Sequence, residues 1–284
     1  MTIRQFYLKQ EKLCTSLNKE SYPVFLYLLH VLKYNQTELY MHFDDVMKKE
    51  DIDLFNEGFE KYLYHNEPIQ YLIGYHEFYG YQFQVDNRVL IPRFETEELV
   101  SNILNLYDDY FDGQEVSACD IGTGSGAIAI TLEKEEKNFK VIGTDISEDA
   151  LEVARINNQK LGTNVRFVQG DMLEPLKGNR FDFIISNPPY IPETEEVNPL
   201  VKDNEPNVAL FGGEDGLRFY RIILEGAKDV MKEKAIIAFE HGYNKAFEIE
   251  QLAKKHFPDC KVIHQNDLQG KQRMTFVLVG DFKC

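Results

Sequence analysis

The amino-acid sequence predicts an α/β protein in which a small helical region precedes a doubly wound, mainly parallel sheet of seven strands. From residue 115 onward, apolar runs of strand length alternate with amphipathic helical segments, which is typical of βαβ units. A loop with three glycines in five residues, 122–126, joins the first strand of this region to its first helix. A chain of 284 residues is also long enough for about two domains.

Three segments follow one another along the chain. Residues 1–73 are predicted to form a helical domain, in which Ser21 and Pro23 mark the start of an apolar helix. A second helix is predicted because apolar residues recur there every three or four positions, at Ile52, Phe55, Phe59, Tyr62 and Leu63. Residues 74–91 are predicted to be a β-hairpin linker with its turn at Asp86 and Asn87. Residues 92–284 form the α/β domain.

The α/β domain is predicted element by element. Its strands are 115–121, 140–146, 164–169, 181–186, 235–240, 261–265 and 273–279, and its helices are 126–134, 148–161, 216–232 and 245–256. A further helix starts at Glu95 or Thr96 and runs to about residue 110. The last two strands are too close in sequence for a helical crossover, so we expect an antiparallel pair. Residues 191–213 show no periodicity and are expected to form a loop that walls a site.

Composition excludes several classes of protein. The net charge is −16, and the first 84 residues (8 basic, 12 acidic) are acidic, as is the remainder, so a nucleic-acid substrate is unlikely. The apolar runs are too short to span a bilayer and the first residues do not resemble a signal peptide, so a cytoplasmic protein is expected. The cysteines are scattered, with no metal-ligand spacing, at Cys14, Cys119, Cys260 and Cys284.

The glycine-rich loop and an acid at the end of the second strand indicate a nucleotide-like cofactor. Gly122-x-Gly124-x-x-Ala127 fits the relaxed dinucleotide fingerprint, so a nicotinamide oxidoreductase is one alternative at this point. Asp145 can accept two ribose hydroxyls, and it is expected to be free because Ser147 is the better cap for the next helix. Met172, after the third strand, can pack on an adenine ring or can serve simply as a core residue.

The sequence Asn187-Pro188-Pro189-Tyr190 ends the fourth strand at the same carboxyl edge. The two prolines lack an N–H group and stop the strand. The Asn187 side-chain oxygen and the Pro188 carbonyl can accept both N–H groups of a planar –NH2, and Tyr190 can stack on it. This arrangement predicts methyl transfer to an amide or adenine nitrogen, without choosing between them. A structural turn without chemistry is the remaining alternative.

With these motifs in hand, the chain resembles the HemK/PrmC family over nearly its whole length. The matching segments are 67–74, 89–93, 95–97, 120–128, 187–190, 205–206, 209–210 and 213–217. The resemblance implies a Rossmann-like class I methyltransferase domain that uses S-adenosylmethionine, leaving S-adenosylhomocysteine. It further implies transfer to the N5 side-chain amide of the glutamine in the Gly-Gly-Gln motif of class 1 peptide release factors. The N-terminal domain would help to bind the release factor.

Carried over residue by residue, the resemblance implies a complete site without a metal. The catalytic residues would be Asn187, Pro188 and Tyr190, and the substrate clamp would add Pro189. The cofactor-binding residues would be Gly122, Thr123, Gly124, Ser125, Gly126, Asp145, Met172 and Asn187. Two positions depart from the family: Phe94, where proline is frequent, and Met172, where an aromatic residue is common. The rival interpretations are an adenine-N6 methyltransferase of nucleic acid and a release-factor- or ribosome-binding protein without catalysis.

Overall fold

The computed structural model of the protein describes residues 1–282, so Cys284 lies outside the described residues. The described chain divides into two compact units. The helical unit comprises Met1–Tyr75 and the segment Val197–Asn204. The α/β unit comprises His76–Glu196 and the chain from Glu205 onward.

Residues 1–73 are mostly helical, as predicted, and contain five consecutive helices. They are α1 (Ile3–Ser16), α2 (Tyr22–Leu32), α3 (Gln36–Met41), α4 (Lys49–His65) and α5 (Ile69–Ile73). The apolar face of α4 is buried in the core of this unit at Phe55, Phe59, Tyr62 and Leu63. Ser21 stands before α2, but its backbone is helical and its side chain makes no capping hydrogen bond within the described chain. The expectation that Ser21 caps α2 was therefore wrong.

The hairpin consists of β1 (Tyr75–Phe78) and β2 (Tyr81–Gln84). Its turn is formed by Tyr79 and Gly80, whose φ angles are both positive, at 53° and 77°, as the tight turns of two-residue hairpins require. The predicted turn at Asp86 and Asn87 is present, since the Val89 N–H donates to the Asp86 carbonyl at 3.1 Å, but it is not the turn of the hairpin, and residues 88–91 are not a strand. The Asp86 carboxylate accepts the Arg88 backbone N–H and pairs with the Arg88 guanidinium.

The α/β unit alternates strands and helices in the predicted order. Its elements are α6 (Phe94–Phe111), β3 (Val116–Ile121), α7 (Ala127–Glu135), β4 (Phe139–Asp145), α8 (Glu148–Leu161), β5 (Arg166–Gln169), β6 (Phe181–Ser186), α10 (Arg218–Gly226), β7 (Met231–Glu240), α11 (Ala246–His256), β8 (Lys261–Asn266) and β9 (Gln272–Val279). The short α9 (Pro199–Lys202) lies between β6 and α10 in sequence and belongs to the helical unit. The predicted helix 216–232 ends early because Met231 already pairs with Phe181 as part of β7.

Seven of these strands form one sheet in the order β5-β4-β3-β6-β7-β9-β8. The five strands β3 to β7 run parallel, whereas β9 is antiparallel to both β7 and β8. The expected antiparallel pair at the end of the chain is thus confirmed. Every residue of β6 is buried, because hydrophobic clusters cover both faces of the sheet.

The segment 191–213 is not structureless, contrary to the expectation. It contains α9 and a single 3-10 turn, Asn207–Ala209. Its ends meet, since the Ile191 N–H donates to the Leu210 carbonyl at 3.0 Å and the Gly212 N–H donates to the Ile191 carbonyl at 2.9 Å. The chain therefore returns beside Tyr190 after its excursion. Among the helices of residues 1–282, none combines the length and the apolarity needed to cross a bilayer.

Candidate active site

The glycine-rich loop turns sharply between β3 and α7. Gly122 and Gly124 have φ of 74° and 55°, a conformation that glycine adopts without strain, and no described atom lies within 4 Å of the place where either would carry a Cβ. The loop is tied to the end of β4, because the N–H groups of Gly122 and Thr123 both donate to the Thr144 carbonyl, at 2.8 and 2.9 Å. The open space beside the two glycines allows a ligand to approach the backbone closely.

The other end of the loop is packed into the unit. A Cβ on Gly126 would lie 2.8 Å from Ile130 Cδ1. Ser125 is buried, and its carbonyl accepts a hydrogen bond from Asn157 Nδ2 at 2.9 Å. Gly126 and Ser125 therefore hold the loop against α7 and α8, while Gly122 and Gly124 form its open side.

The carboxylate of Asp145 anchors this loop from the end of β4. One oxygen accepts the Gly124 N–H and the other accepts the Ser147 N–H, both at 2.9 Å. Ser147 also caps α8, as predicted, by accepting the Ala150 N–H at 3.2 Å. As expected, Asp145 does not cap α8, although each of its oxygens accepts one of these backbone N–H groups. Burial raises the pKa of Asp145, and the hydrogen bonds from Ser147 and Gly124 oppose that rise.

Asp120, which sequence reasoning did not single out, lies fully buried in β3 two residues before Gly122. One of its oxygens accepts the Thr123 hydroxyl at 2.6 Å, while the other, Oδ1, has no hydrogen-bond partner among residues 1–282. Burial raises the pKa of Asp120 to about 7, and the nearby charge of Asp145 adds to the rise. Its signal in the sequence was an acid at the end of an apolar strand, the same signal that marked Asp145.

These residues fit the cationic cofactor that the resemblance implies. S-adenosylmethionine carries a sulfonium and an ammonium group, and two buried or half-buried carboxylates flank the glycine loop. The unpartnered Oδ1 of Asp120 is an acceptor that a cationic ligand can satisfy. Within residues 1–282, no three His, Cys, Asp or Glu side chains are grouped as metal ligands.

The clamp residues follow β6 directly, beside the glycine loop. The Ser186 hydroxyl donates to the Ile121 carbonyl at 2.7 Å and so joins the ends of β6 and β3. Asn187 and Tyr190 are half-buried and Pro188 is buried. Burial raises the pKa of Tyr190 to about 12, so its phenol is neutral at physiological pH. The structure thus places the clamp and the loop on adjacent strands of one sheet edge.

Two glycines allow the clamp segment to lie against the returning chain. A Cβ on Gly212 would lie 2.5 Å from the Pro189 carbonyl oxygen, and a Cβ on Gly216 would lie 2.3 Å from the Tyr190 carbonyl oxygen. Both contacts are with backbone, which cannot move aside as a flexible side chain can. The segment 213–217, which carried part of the resemblance, therefore supports the back of the clamp.

An ion pair between the half-buried Arg93 and a buried carboxylate explains two further matching segments. The Glu205 carboxylate, 1% exposed, accepts the Arg93 guanidinium at 2.5 Å and the Ile91 N–H at 3.1 Å. These partners are more than 110 residues apart in sequence. The ion pair holds the chain that enters α6 against the chain that precedes the 3-10 turn.

Sequence reasoning also missed two residues that contact the clamp. Thr96, in the first turn of α6, accepts a hydrogen bond from Asn187 Nδ2 at 3.2 Å and donates its own hydroxyl to Glu240 Oε2 at 2.6 Å. Glu240 ends β7 and is buried. Its signal was again an acid at the carboxyl end of an apolar strand.

The two positions that depart from the family pattern lie in different parts of the α/β unit, after β5 and at the start of α6. Met172 has a left-handed backbone, with φ of 46°, and its half-buried side chain packs against the hydrophobic cluster that includes Leu173. Phe94 begins α6 and is 57% exposed. Helix α6 starts here rather than at Glu95 or Thr96, with Arg93 as its N-terminal flanking residue.

Comparison with known proteins identifies the family and the fold. Residues 112–276 match the family described as "Methyltransferase domain", and residues 18–74 match "PrmC N-terminal domain". A crystal structure of a methyltransferase from Pyrococcus furiosus shares the fold, with a TM-score of 0.54 and 22% identity, and covers 82% of this chain and 98% of that chain.

Two bacterial relatives are similar over most of their length. Release factor glutamine methyltransferase of Bacillus cereus is 44% identical over 253 residues, which cover 88% of this chain and 89% of the relative. Its counterpart of the same name in Bacillus subtilis is 40% identical over 273 residues, or 93% of each protein. This chain therefore belongs to the family of release factor glutamine methyltransferases.

Proposed function

We propose that this protein transfers a methyl group from S-adenosylmethionine to the N5 amide nitrogen of the glutamine in the Gly-Gly-Gln motif of class 1 release factors. The observation that carries the proposal is the orientation of Asn187. Its amide nitrogen donates to Thr96 at 3.2 Å, so its amide oxygen is the atom that remains to accept a substrate N–H. The adjacent Pro188 carbonyl is the second acceptor.

The chemistry follows from the two acceptors. The lone pair of an amide nitrogen is delocalised into its carbonyl, which makes the nitrogen a poor nucleophile. Asn187 and Pro188 hold both N–H groups and stabilise the positive charge that develops on the nitrogen as the new N–C bond forms. When bound, S-adenosylmethionine supplies the electrophilic methyl group. The nitrogen then loses one proton, so no general base is needed before transfer.

Tyr190 completes the clamp as a flat, uncharged surface. Its phenol, with a pKa of about 12, stays neutral while the ring stacks on the planar amide. Pro189 stiffens the segment between the acceptors and this ring. The clamp thereby selects a planar –NH2 group, which both a glutamine side chain and an adenine present.

The cofactor-binding residues are proposed from their places around the loop. Gly122 and Gly124 leave room for the ligand, Asp145 would accept ribose hydroxyls with the lone pairs that its two backbone hydrogen bonds leave over, and Met172 would offer an apolar face to the adenine. Thr123, Ser125 and Gly126 hold the loop in shape, and Asn187 contacts both the cofactor and the substrate. To these we add Asp120, whose Oδ2 accepts the hydroxyl of Thr123 in this loop and whose Oδ1 has no hydrogen-bond partner among residues 1–282.

The choice of a release factor over nucleic acid rests on the named relatives and on charge. The relatives from both Bacillus species carry the name release factor glutamine methyltransferase. The net charge of −16 repels a phosphate backbone. An adenine-N6 methyltransferase would use the same clamp, so the substrate is the part of the proposal that needs a direct test.

The test supplies labelled S-adenosylmethionine together with a class 1 release factor and adenine-containing DNA. We expect the label on the release factor, and mass analysis of its Gly-Gly-Gln peptide should place one methyl on the glutamine. Label on the DNA alone would overturn the proposed substrate.

A clamp variant tests the mechanism separately. Asn187→Ala should lower turnover by about 10²-fold or more, because one of the two acceptors is removed. Calorimetry should show that the Kd for S-adenosylmethionine changes only a few-fold. Asn105→Ala, at an exposed position on α6, is the matched control and should retain wild-type turnover. Unchanged turnover in Asn187→Ala would contradict the clamp mechanism.

A further inference from the structure

We infer that Glu240 and Thr96 are positioning residues that set which way the Asn187 side-chain amide faces. The inference rests on the proposed function, because it concerns the acceptor that holds the substrate nitrogen. Neither residue is a catalytic residue in this scheme, since each acts on the substrate only through Asn187.

The sheet register brings the three side chains together. Ser186 of β6 pairs with Phe239 of β7, so the next residues, Asn187 and Glu240, leave neighbouring parallel strands at the same level. Thr96 reaches this point from the first turn of α6. Glu240 is 2% exposed and Thr96 is 4% exposed, so water does not supply their hydrogen bonds.

Counting donors and acceptors fixes the amide orientation. An ionised Glu240 can only accept, and it accepts the Thr96 hydroxyl proton at 2.6 Å. Thr96 has no second hydroxyl proton, so its oxygen can only accept from Asn187. The Thr96 oxygen accepts a hydrogen bond from the Asn187 amide nitrogen at 3.2 Å. A flipped amide would place Asn187 Oδ1 against the lone pairs of Thr96, and its –NH2 group would face the substrate –NH2.

The carboxylate sits among charged and titratable groups from each neighbouring element. These are Glu95 on α6, Arg273 on β9, Tyr190 after β6 and Tyr220 on α10, whose hydroxyl donates to the Glu240 backbone carbonyl at 2.8 Å. Burial raises the pKa of Glu240 to about 7, and Glu95 adds to the rise. The hydrogen bond from Thr96, the charge of Arg273 and the nearby Asn187 amide oppose it.

We call the chain of hydrogen bonds from Asn187 through Thr96 to Glu240 the relay. Protonation of Glu240 would reverse the direction of its hydrogen bonds. A carboxylic acid carries an O–H donor, which can point at Thr96 and leave the Thr96 proton to face Asn187. The amide oxygen of Asn187 would then turn inward to accept it, and the substrate would lose an acceptor. The relay therefore requires the ionised form, and turnover should fall as the pH is lowered through about 7.

Three variants of the full-length protein test the relay by methyl transfer to a class 1 release factor, at saturating S-adenosylmethionine and saturating acceptor. We expect Glu240→Gln and Thr96→Val each to lower kcat by about 10-fold or more. In either variant the Asn187 amide is no longer restricted to the orientation that directs its oxygen at the substrate. The Kd for S-adenosylmethionine should stay within about threefold in both. Thr96→Ser restores the hydroxyl and should recover most of the lost turnover.

The matched control for Thr96→Val is Thr131→Val. Thr131 is also a buried helical threonine, and its hydroxyl has no hydrogen-bond partner in the described chain. This variant should keep wild-type kcat and melting temperature. A kcat within twofold of wild type in Glu240→Gln or Thr96→Val would overturn the inference, as would failure of Thr96→Ser to recover turnover.

The pH profile separates orientation from a merely structural effect. The wild-type kcat should show an acidic limb near pH 7, and this limb should be absent from the residual activity of Glu240→Gln. Asp120 also has a pKa of about 7, but a limb that arises there would persist in Glu240→Gln. Persistence of the limb would therefore overturn the inference.

The side-chain amide resonance of Asn187 tests the inference even in a protein that shows no methyl transfer. The side-chain amide resonance of Asn187, identified by its absence in Asn187→Ala, should shift with pH around 7 in the wild type and not in Glu240→Gln. If the wild type methylates no release factor, the proposed function fails while this measurement still decides the relay. A pH-independent resonance in the wild type would reject the relay alone.

Discussion

Replacing Asp120 by asparagine should make the stability of the apoprotein less sensitive to pH. Asp120 is fully buried, with one oxygen paired to Thr123 and the other without a partner among residues 1–282. Its pKa rises from 3.8 to about 7 on folding. A raised pKa in the folded state means that the carboxyl group stabilises the fold most below pH 3.8, and that this contribution is lost as the pH rises through 7.

The magnitude follows from the pKa difference. Each unit of pH between the two pKa values costs about 1.4 kcal/mol, so wild-type protein should lose about 3 kcal/mol from this group between pH 5 and pH 8. Asp120→Asn cannot ionise and loses none of it. Titrating groups that do not interact with Asp120, including Glu240, contribute equally to both proteins and cancel in the comparison.

Urea denaturation followed by circular dichroism at pH 5 and pH 8 measures the effect. The free energy of unfolding of Asp120→Asn, relative to wild type, should rise by about 3 kcal/mol between these two pH values. The same variant should bind S-adenosylmethionine about 10-fold more weakly, because an amide does not attract a cation. A relative stability that stays constant within about 1 kcal/mol over this range would refute the assigned ionisation.

Three other substitutions test separate parts of the structure. Asp145→Ala should weaken S-adenosylmethionine binding by about 10-fold in calorimetry, because it removes both a ribose acceptor and a loop anchor; an unchanged Kd would contradict this. Arg93→Met leaves the buried Glu205 carboxylate without its cation and should lower the free energy of unfolding by about 2 kcal/mol. The double variant with Glu205→Gln should recover part of this loss. Gly58→Ala places a Cβ 1.7 Å from the Tyr27 hydroxyl oxygen and should cost about 1–3 kcal/mol in urea denaturation; Tyr27→Phe should reduce that cost, and additive effects of the two changes would exclude the clash.

Local signals in the sequence predicted the elements of the α/β unit closely. Strand β6 ends at Ser186 as predicted, because two prolines lie just beyond it and cannot continue a sheet ladder. Helix α8 spans Glu148–Leu161 as predicted, because Ser147 caps its start and Gly162, with φ of 69°, ends it. These boundaries depend on residues within a few positions of each end.

The wrong predictions lie where the local sequence is compatible with more than one structure. Both Tyr79-Gly80 and Asp86-Asn87 are plausible turns in the sequence. The hairpin turns at the first pair, whose positive φ angles suit a two-residue turn. The Asp86 carboxylate accepts hydrogen bonds from the backbone N–H and the guanidinium of Arg88. Likewise, the end of α10 depends on where β7 first pairs with β6. The sequence of the helix itself contains no signal for that pairing.

The sequence by itself determined the fold, the glycine loop, the clamp motif and its place at the carboxyl edge of the sheet, because strand ends, glycines and prolines act through local backbone geometry. Only the tertiary structure revealed the partners of the clamp. Thr96 and Glu240 are 144 residues apart in sequence, yet they meet at Asn187 because β6 and β7 are neighbours and α6 packs against this sheet edge. Hydrogen bonds between such distant residues depend on strand order and register, which emerge only when the whole sheet is assembled.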